Sequence, residues 1–181
     1  KVDVFCSSQG HFMVRAFCSQ LLHIEMSKIK VTAAEIGGGF GGKTTVYLEP
    51  LAIMLSRKSG RPVRMTMSRE EVFRGSGATS GAAMTIKMGA TKDGKITGAY
   101  AELYLQAGAF PGSPVGPAAM TAFAPYDLAN VKVVGFDVVS NRQKVVAYRA
   151  PGAPISEYGV ESVVDELASE LGIDPIEIRS M

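Results

Sequence analysis

The chain has 181 residues, of which 46% are hydrophobic and 20% charged, a composition typical of a globular protein that excludes a low-complexity or disordered chain. The formal net charge is only +2 and the basic residues are scattered, which argues against a nucleic-acid partner. No signal peptide and no long apolar run occurs, so we expect a cytoplasmic protein without a membrane span.

The first half of the chain predicts strands and helices. From Gly10 onward apolar residues recur at helical spacing, which predicts a first helix. A second helix is predicted with Pro50 in its first turn and Gly60 at its exit. Alternation of apolar and polar residues predicts three strands, at residues 2–8, 28–36 and 61–67.

The second half predicts a hairpin and then a long irregular segment. Alternating runs at 82–90 and 95–107 flank Asp93-Gly94, a pair that strongly favours a tight turn. Residues 108–125 contain four prolines and show no periodicity, which is typical of a functional or mobile segment. The remaining predicted elements are strands at 131–139 and 143–148, an amphipathic helix at 156–171 that ends at Gly172, and a short helix capped by Asp174-Pro175.

These elements predict an α+β fold, because hairpins and helices occur without a regular β-α-β rhythm. We expect a mixed, largely antiparallel sheet with helices packed on one side. The chain starts at Lys1 within a predicted strand and stops within a predicted helical turn. We therefore expect residues 1–181 to be a fragment of a longer subunit.

The two cysteines and two histidines raise the question of a zinc site. Cys6 and His11, and then Cys18 and His23, repeat the spacing C-x4-H, and two cysteines with two histidines are a structural zinc set. On a helix, Cys18 and His23 would lie about 140° apart around the axis, which suits a shared metal ion poorly. The pattern favours buried structural thiols.

The segment AEIGGGFGGKTT, residues 34–45, is the strongest local signal. Gly37 to Thr44 satisfy the phosphate-loop pattern of nucleotide-triphosphate-binding modules, which needs a helix that begins at the lysine. Pro50 would lie inside that helix and would cost roughly 3 kcal/mol there. The loop also satisfies the dinucleotide pattern G-x-G-x-x-G, but no acidic residue follows at the required distance.

A third interpretation of the segment explains its glycines and its phenylalanine together. Glycines alone would allow any tight loop, but the bulky Phe40 between them suggests a backbone that bends around a ligand. Successive backbone N–H groups in such a bend form a concave site for anionic or oxo-bearing groups. The sequence therefore favours an anion-binding loop, with the phosphate loop as the alternative.

Four collinear segments resemble the molybdenum hydroxylases, the xanthine dehydrogenase and aldehyde oxidase family. GGGFGGK is similar to the family's glycine-phenylalanine loop, and FCSSQGH to the segment that opens its molybdenum-binding region. GRPVRMTMSREEVF and the segment from SNRQKVVAYRAPGAP to DPIEIR resemble the strand after the loop's helix, and the arginine loop with its following helix. The resemblance implies the family's molybdopterin-binding fold over nearly the whole chain.

The resemblance also implies a cofactor and the residues that hold it. The cofactor would be molybdenum-molybdopterin, in its simple or its dinucleotide form. Gln9, Phe40 and Arg149 would lie beside the ligands of the metal, and the backbone of Gly38, Gly39, Phe40 and Gly41 would face those ligands and the pterin. Iron-sulfur clusters and FAD would lie on other domains or subunits, in an oligomeric enzyme.

The substrate pocket departs from two known branches of that family. Thr44 follows the loop lysine and Pro151 lies two residues after Arg149, where purine-oxidising members carry a glutamate and a phenylalanine. No cysteine follows Arg149 in YRAPGAP, which argues against carbon monoxide oxidation. The resemblance leaves hydroxylation of an aldehyde, an N-heterocycle or an aromatic thioester. The family's general-base glutamate would lie C-terminal to this chain, so we expect residues 1–181 to be inactive alone.

Overall fold

A computed structural model describes all residues from Lys1 to Met181. The chain forms two compact units. The first unit comprises residues 1–78 and 146–149, and the second comprises residues 79–145 and 150–181. The chain thus leaves the first unit after Ala78 and returns to it for four residues.

The first unit contains a two-stranded parallel sheet and three helices. Its elements are β1 (Val2–Cys6), α1 (His11–Leu22), a 3-10 turn (Met26–Lys28), β2 (Ile29–Ala33), α2 (Glu49–Ser59) and α3 (Arg69–Gly75). β1 and β2 pair in parallel from Val2 opposite Ile29 to Cys6 opposite Ala33. Parallel pairing requires a crossover connection, and α1 supplies it.

The core of the first unit lies between this sheet and the helices α1 and α2. Its buried members are Cys6, Val14, Cys18, Ile29 and Ile53. Both cysteines are free thiols buried in this core, as the sequence indicated. Burial raises the pKa of the Cys18 thiol to about 11, so this side chain behaves as a small apolar group.

The helix ends of the first unit follow the predicted signals. α2 carries Pro50 in its first turn and ends at Gly60, whose φ of 65° is the left-handed conformation that glycine adopts readily. α3 was not predicted from the sequence. It begins with a capping box in which the Ser68 hydroxyl accepts from the Glu71 amide and the Glu71 carboxylate accepts from the Ser68 amide.

The predicted strand at 61–67 is wrong in one respect. Its residues alternate between exposed and half-buried positions as a strand does, but they pair with no other strand. The predicted periodicity of side chains is therefore correct, whereas pairing depends on a neighbouring strand that this unit does not provide.

The second unit contains a three-stranded mixed sheet and three helices. Its elements are β3 (Ala82–Ala90), β4 (Ile96–Gly108), α4 (Val115–Thr121), β5 (Val131–Val139), α5 (Ala153–Leu171) and α6 (Pro175–Ile178). The strand order is β3-β4-β5, with β3 antiparallel and β5 parallel to the central β4. The predicted hairpin is confirmed, and its turn passes through Gly94 with φ of 93°.

The core of the second unit covers one face of its sheet. Ala101, Leu103 and Leu105 alternate along β4 and are fully buried. They belong to one cluster with buried residues of α4, of its C-cap, and of α5 and α6: Ala118, Ala122, Val160, Val164, Ala168 and Ile178. Helices therefore pack on one side of the sheet, which confirms the α+β prediction. Parallel pairing is more frequent than expected, because β1–β2 and β4–β5 are both parallel.

Two other predictions for the second half need correction. Residues 108–125 are not wholly irregular, since α4 occupies Val115–Thr121. Residues 143–148 form no regular strand and make isolated backbone hydrogen bonds instead, such as the 3.0 Å bond from the Val145 amide to the Ala107 carbonyl. Among all helices of the chain, none combines the length and the apolar character that crossing a bilayer requires.

Candidate functional site

The glycine loop lies between β2 and α2 in the first unit. Residues 40–43 form a turn, and α2 begins only at Glu49. Lys43 and Thr44 are therefore not in the first turn of a helix, where a phosphate loop requires them. This geometry argues against the nucleotide-triphosphate alternative.

The loop backbone adopts conformations that favour glycine. Gly38 and Gly41 have φ of 115° and 99°, and Phe40 has φ of 50° although it carries a side chain. The left-handed conformation costs a residue with a Cβ about 1–2 kcal/mol. The amide of Arg149 donates a 2.7 Å hydrogen bond to the Phe40 carbonyl, which holds the strained residue in place.

Gly41 is required by close approach as well as by its φ. A Cβ atom at this position would lie 2.6 Å from the carbonyl oxygen of Ala147 and 2.9 Å from its carbonyl carbon. Backbone atoms cannot move aside as the end of a flexible side chain can. The returning segment 146–149 therefore packs directly against the backbone of the glycine loop.

Gln9 connects the turn before α1 to the glycine loop. Its Oε1 accepts hydrogen bonds from the backbone amides of Gly41 and Lys43, each 3.0 Å long. The backbone amide of Gln9 donates to the Lys43 carbonyl at 3.0 Å. A Cβ on Gly39 would lie 2.4 Å from the same Oε1, so the carboxamide lies directly against the loop. Because Oε1 is the acceptor, Nε2 remains as a donor, and it has no partner within the chain.

Two further side chains support the loop. Ser8 is 5% exposed; its hydroxyl donates to the Lys43 carbonyl at 3.2 Å and accepts from the Gly10 amide at 3.1 Å. The Tyr47 hydroxyl donates to the Gly42 carbonyl at 3.0 Å. Burial raises the pKa of Tyr47, which keeps that hydroxyl protonated as a donor. Neither Ser8 nor Tyr47 was predicted from the sequence. For Ser8 the reason is distance, because the Lys43 carbonyl that it contacts lies 35 residues along the chain.

Several hydrogen-bond donors at the loop have no partner within the chain. The amides of Gly38, Gly39 and Phe40 make no hydrogen bond, and Gln9 Nε2 makes none. The Arg149 side chain is exposed and forms no ion pair. Unpaired N–H groups in a loop of this curvature suit a ligand with anionic or oxo groups.

Thr44 and Pro151 were predicted to border the substrate pocket. The Thr44 hydroxyl donates to the Gly41 carbonyl at 2.9 Å, and thus closes the turn of the glycine loop. Pro151 is exposed in the second unit, next to Gly152, whose added Cβ would lie 2.4 Å from the Pro114 carbonyl oxygen. The pocket role of both residues stays a prediction.

The sequence model of one protein family, the molybdopterin cofactor-binding domain, matches residues 1–181, the entire chain. The chain therefore belongs to the molybdopterin cofactor-binding domain family. This assignment confirms the resemblance found in the sequence and leaves no support for the phosphate-loop alternative.

Curated relatives and solved structures agree with the family. The chain is 33% identical over 183 residues to the nicotinate dehydrogenase large molybdopterin subunit of Eubacterium barkeri, with 98% of this chain and 43% of that protein covered. It is 32% identical over 183 residues to the xanthine dehydrogenase molybdenum-binding subunit of Escherichia coli O157:H7, with 99% and 24% covered. The chain thus spans between about a quarter and less than half of the length of these relatives.

The fold matches two solved oxidoreductases closely. The aldehyde oxidoreductase of Desulfovibrio desulfuricans superposes with a TM-score of 0.89 at 28% identity, over 98% of this chain and 20% of that one. Quinoline 2-oxidoreductase of Pseudomonas putida superposes with a TM-score of 0.88 at 28% identity, over 98% and 23%.

Proposed function

We propose that this chain forms one part of the cofactor cradle in the large subunit of a molybdenum hydroxylase. The observation that carries the proposal is the geometry of Gln9. Two loop amides hold its Oε1, and its Nε2 is left as a free donor beside the unpaired amides of the glycine loop. A molybdopterin cofactor offers oxo, sulfur and phosphate groups that such donors can bind.

The residues at the loop fit this cofactor in distinct ways. Gln9 Nε2 would donate to an oxygen or sulfur ligand of molybdenum, and the amides of Gly38, Gly39 and Phe40 would donate to the metal's ligands or to the pterin. Gly41 allows residues 146–149 to pack closely against the loop. This segment carries Arg149, whose backbone amide is bonded to the Phe40 carbonyl. Donors held in fixed positions stabilise negative charge that develops during a reaction.

The remainder of the enzyme would supply what residues 1–181 lack. When bound, the cofactor would supply hydroxylation of an electrophilic carbon with oxygen derived from water. We propose a general-base glutamate outside this chain, iron-sulfur and FAD partners on other domains or subunits, a cytoplasmic location and an oligomeric enzyme. The cofactor would be the simple or the dinucleotide form of molybdopterin.

The substrate would be a small molecule. The sequence resemblance makes Thr44 and Pro151 each a candidate for contact with it. Both side chains are uncharged and small, so neither favours an anionic purine over a neutral ring or aldehyde. The names of the relatives refer to nicotinate, quinoline and aldehyde as substrates of those proteins. They support a screen of aldehydes and N-heterocycles, with aromatic thioesters as a third class.

Elemental analysis of the native large subunit, purified from cells supplied with molybdate, tests the proposal. We expect close to one molybdenum per subunit and turnover of at least one member of the three substrate classes. A subunit free of molybdenum, together with thermal stabilisation by ATP, would refute it.

A further inference from the structure

Residues 62–67 have the form of a strand without a partner. Val63, Met65 and Met67 are half-buried, whereas Arg64 and Thr66 between them are exposed. Strict alternation of this kind is the signature of a strand with one face on the protein. Neither β1 nor β2 pairs with the segment, and their two-stranded sheet ends without it.

The backbone of the same segment has no hydrogen-bond partner within the chain. Residues 62–67 make no backbone hydrogen bond; the bonds on either side involve Arg61 and Ser68. Backbone N–H and C=O groups that become buried almost always find partners in a native protein. An extended row of free groups is a template for another strand. Of these residues only Pro62 lacks an N–H group.

A groove lies beside the unpaired segment. It has a volume of about 460 Å³ and is lined by Leu48, Met65, Met67, Glu70, Glu71 and Arg74. The capping box at Ser68 and Glu71 sets the start of α3, which forms one wall of the groove. Alternate side chains of a strand paired with residues 62–67 would reach this groove. Met65 and Met67, which line it, can adapt to varied apolar shapes.

We propose that residues 62–67 are a docking edge for an extended strand from the remainder of the parent subunit. The inference depends on the proposed function, since it requires this chain to be part of a longer subunit. The matched solved chains are longer, since this chain covers only 20% and 23% of them. A strand of the same polypeptide pairs at high effective concentration, which favours it over a second copy.

The chemistry of the edge defines the incoming strand. It is an extended segment whose alternate side chains are apolar and enter the groove beside Met65 and Met67. It carries no proline at the positions that pair with this edge, because each would remove a ladder hydrogen bond. This pairing would extend the sheet by β-augmentation.

Hydrogen exchange of the complete large subunit, resolved to single amides, tests the inference. We expect alternate amides of residues 63–67 to exchange at least about 100-fold more slowly than in an unstructured peptide. The amides of Thr85 and Lys87 in the paired strand β3 serve as the reference for a formed ladder. The hydrogen bond from the Gln106 amide to the Gly81 carbonyl shows that the amides of the odd-numbered residues of β3 point toward β4. Exchange at unstructured rates throughout 63–67, in a subunit whose β3 is protected, would overturn the inference.

Matched variants confirm which edge is used. The protected set selects Arg64 or Met65, which lie on opposite edges, and proline there should accelerate exchange of the other protected amides at least about tenfold. Alanine at the same position retains the amide and should leave those amides within about threefold of the wild type. Equal effects of proline and alanine would contradict pairing.

Two further measurements separate the alternatives. Protection that rises with protein concentration would show pairing with a second copy, and would overturn the assignment to the parent chain. Molybdenum measured on the same sample tests the proposed function independently. Protection in a molybdenum-free subunit would support the docking edge alone.

Discussion

The amide of Arg149 donates a 2.7 Å hydrogen bond to the carbonyl oxygen of Phe40. This bond joins the segment 146–149 to a residue with φ of 50°, and the neighbouring Gly41 packs against Ala147. The position of the Arg149 side chain is thus coupled to the conformation of the glycine loop. A substitution in either segment should therefore alter the conformation of the other.

Gly41→Val should release the cofactor. The substitution places a side chain at φ of 99° and a Cβ 2.6 Å from the Ala147 carbonyl oxygen. The backbone strain costs about 1–2 kcal/mol and the overlap about 1–3 kcal/mol more. We expect the variant subunit to lose most of its molybdenum, as measured by elemental analysis.

Gly37→Ala is the matched control for this change. A Cβ at Gly37 meets no atom within 4 Å, and the residue does not require positive φ. Its molybdenum content should equal that of the wild type. If both variants retained their metal, the close approach at Gly41 would have no role in cofactor binding.

Gln9→Ala and Gln9→Glu should separate two functions of one side chain. Alanine removes the acceptor for the amides of Gly41 and Lys43, at a cost of about 1 kcal/mol, whereas glutamate retains it. Both variants lose the Nε2 donor. We expect hydrogen exchange at these two amides to accelerate only in the alanine variant, and turnover to fall in both. Full turnover of Gln9→Glu would show that Nε2 does not act on the metal's ligands.

Lys43→Ala should leave cofactor binding intact. The backbone of Lys43 bonds to Gln9 and Ser8, but its ammonium group makes no hydrogen bond or ion pair. We expect unchanged molybdenum content and no thermal shift of the wild type with magnesium-ATP. A shift that the wild type shows and the variant loses would instead support a phosphate loop.

Tyr126→Phe should alter the dependence of stability on alkaline pH. Burial, and then the hydrogen bond from its hydroxyl to the Glu161 carboxylate, raise the pKa of Tyr126 from 10.0 to about 12. As the pH rises from about 10 to 12, the unfolded chain loses a proton that the folded chain retains, so this contribution to stability declines. The midpoint temperature of thermal unfolding, measured across this pH range, should fall less steeply for Tyr126→Phe than for the wild type.

Tyr158→Phe provides the control for the pH experiment. Tyr158 is 75% exposed on α5, and its hydroxyl has no hydrogen-bond partner. The midpoint temperature of thermal unfolding of Tyr158→Phe should change with pH as that of the wild type does. Parallel curves for all three proteins would contradict the raised pKa of Tyr126.

Local signals predicted those parts of the fold whose cause is local. The Asp93-Gly94 turn between alternating strands and the exits at Gly60 and Gly172 were correct because each depends on neighbouring residues alone. The capping box at Ser68 and Glu71 is also a local signal, and it marks the start of α3, which apolar periodicity does not predict. α4 was missed because the prolines around it obscure its short periodicity.

The sequence by itself determined the family, the glycine loop and the candidate residues Gln9, Phe40 and Arg149, since these are carried by short collinear motifs. Only the tertiary structure decided how they meet. It showed Gln9 accepting from two loop amides, Gly41 against Ala147, and residues 62–67 without a strand to pair with. These contacts join residues that are far apart in the chain, so their geometry depends on how the backbone returns, which no local pattern records.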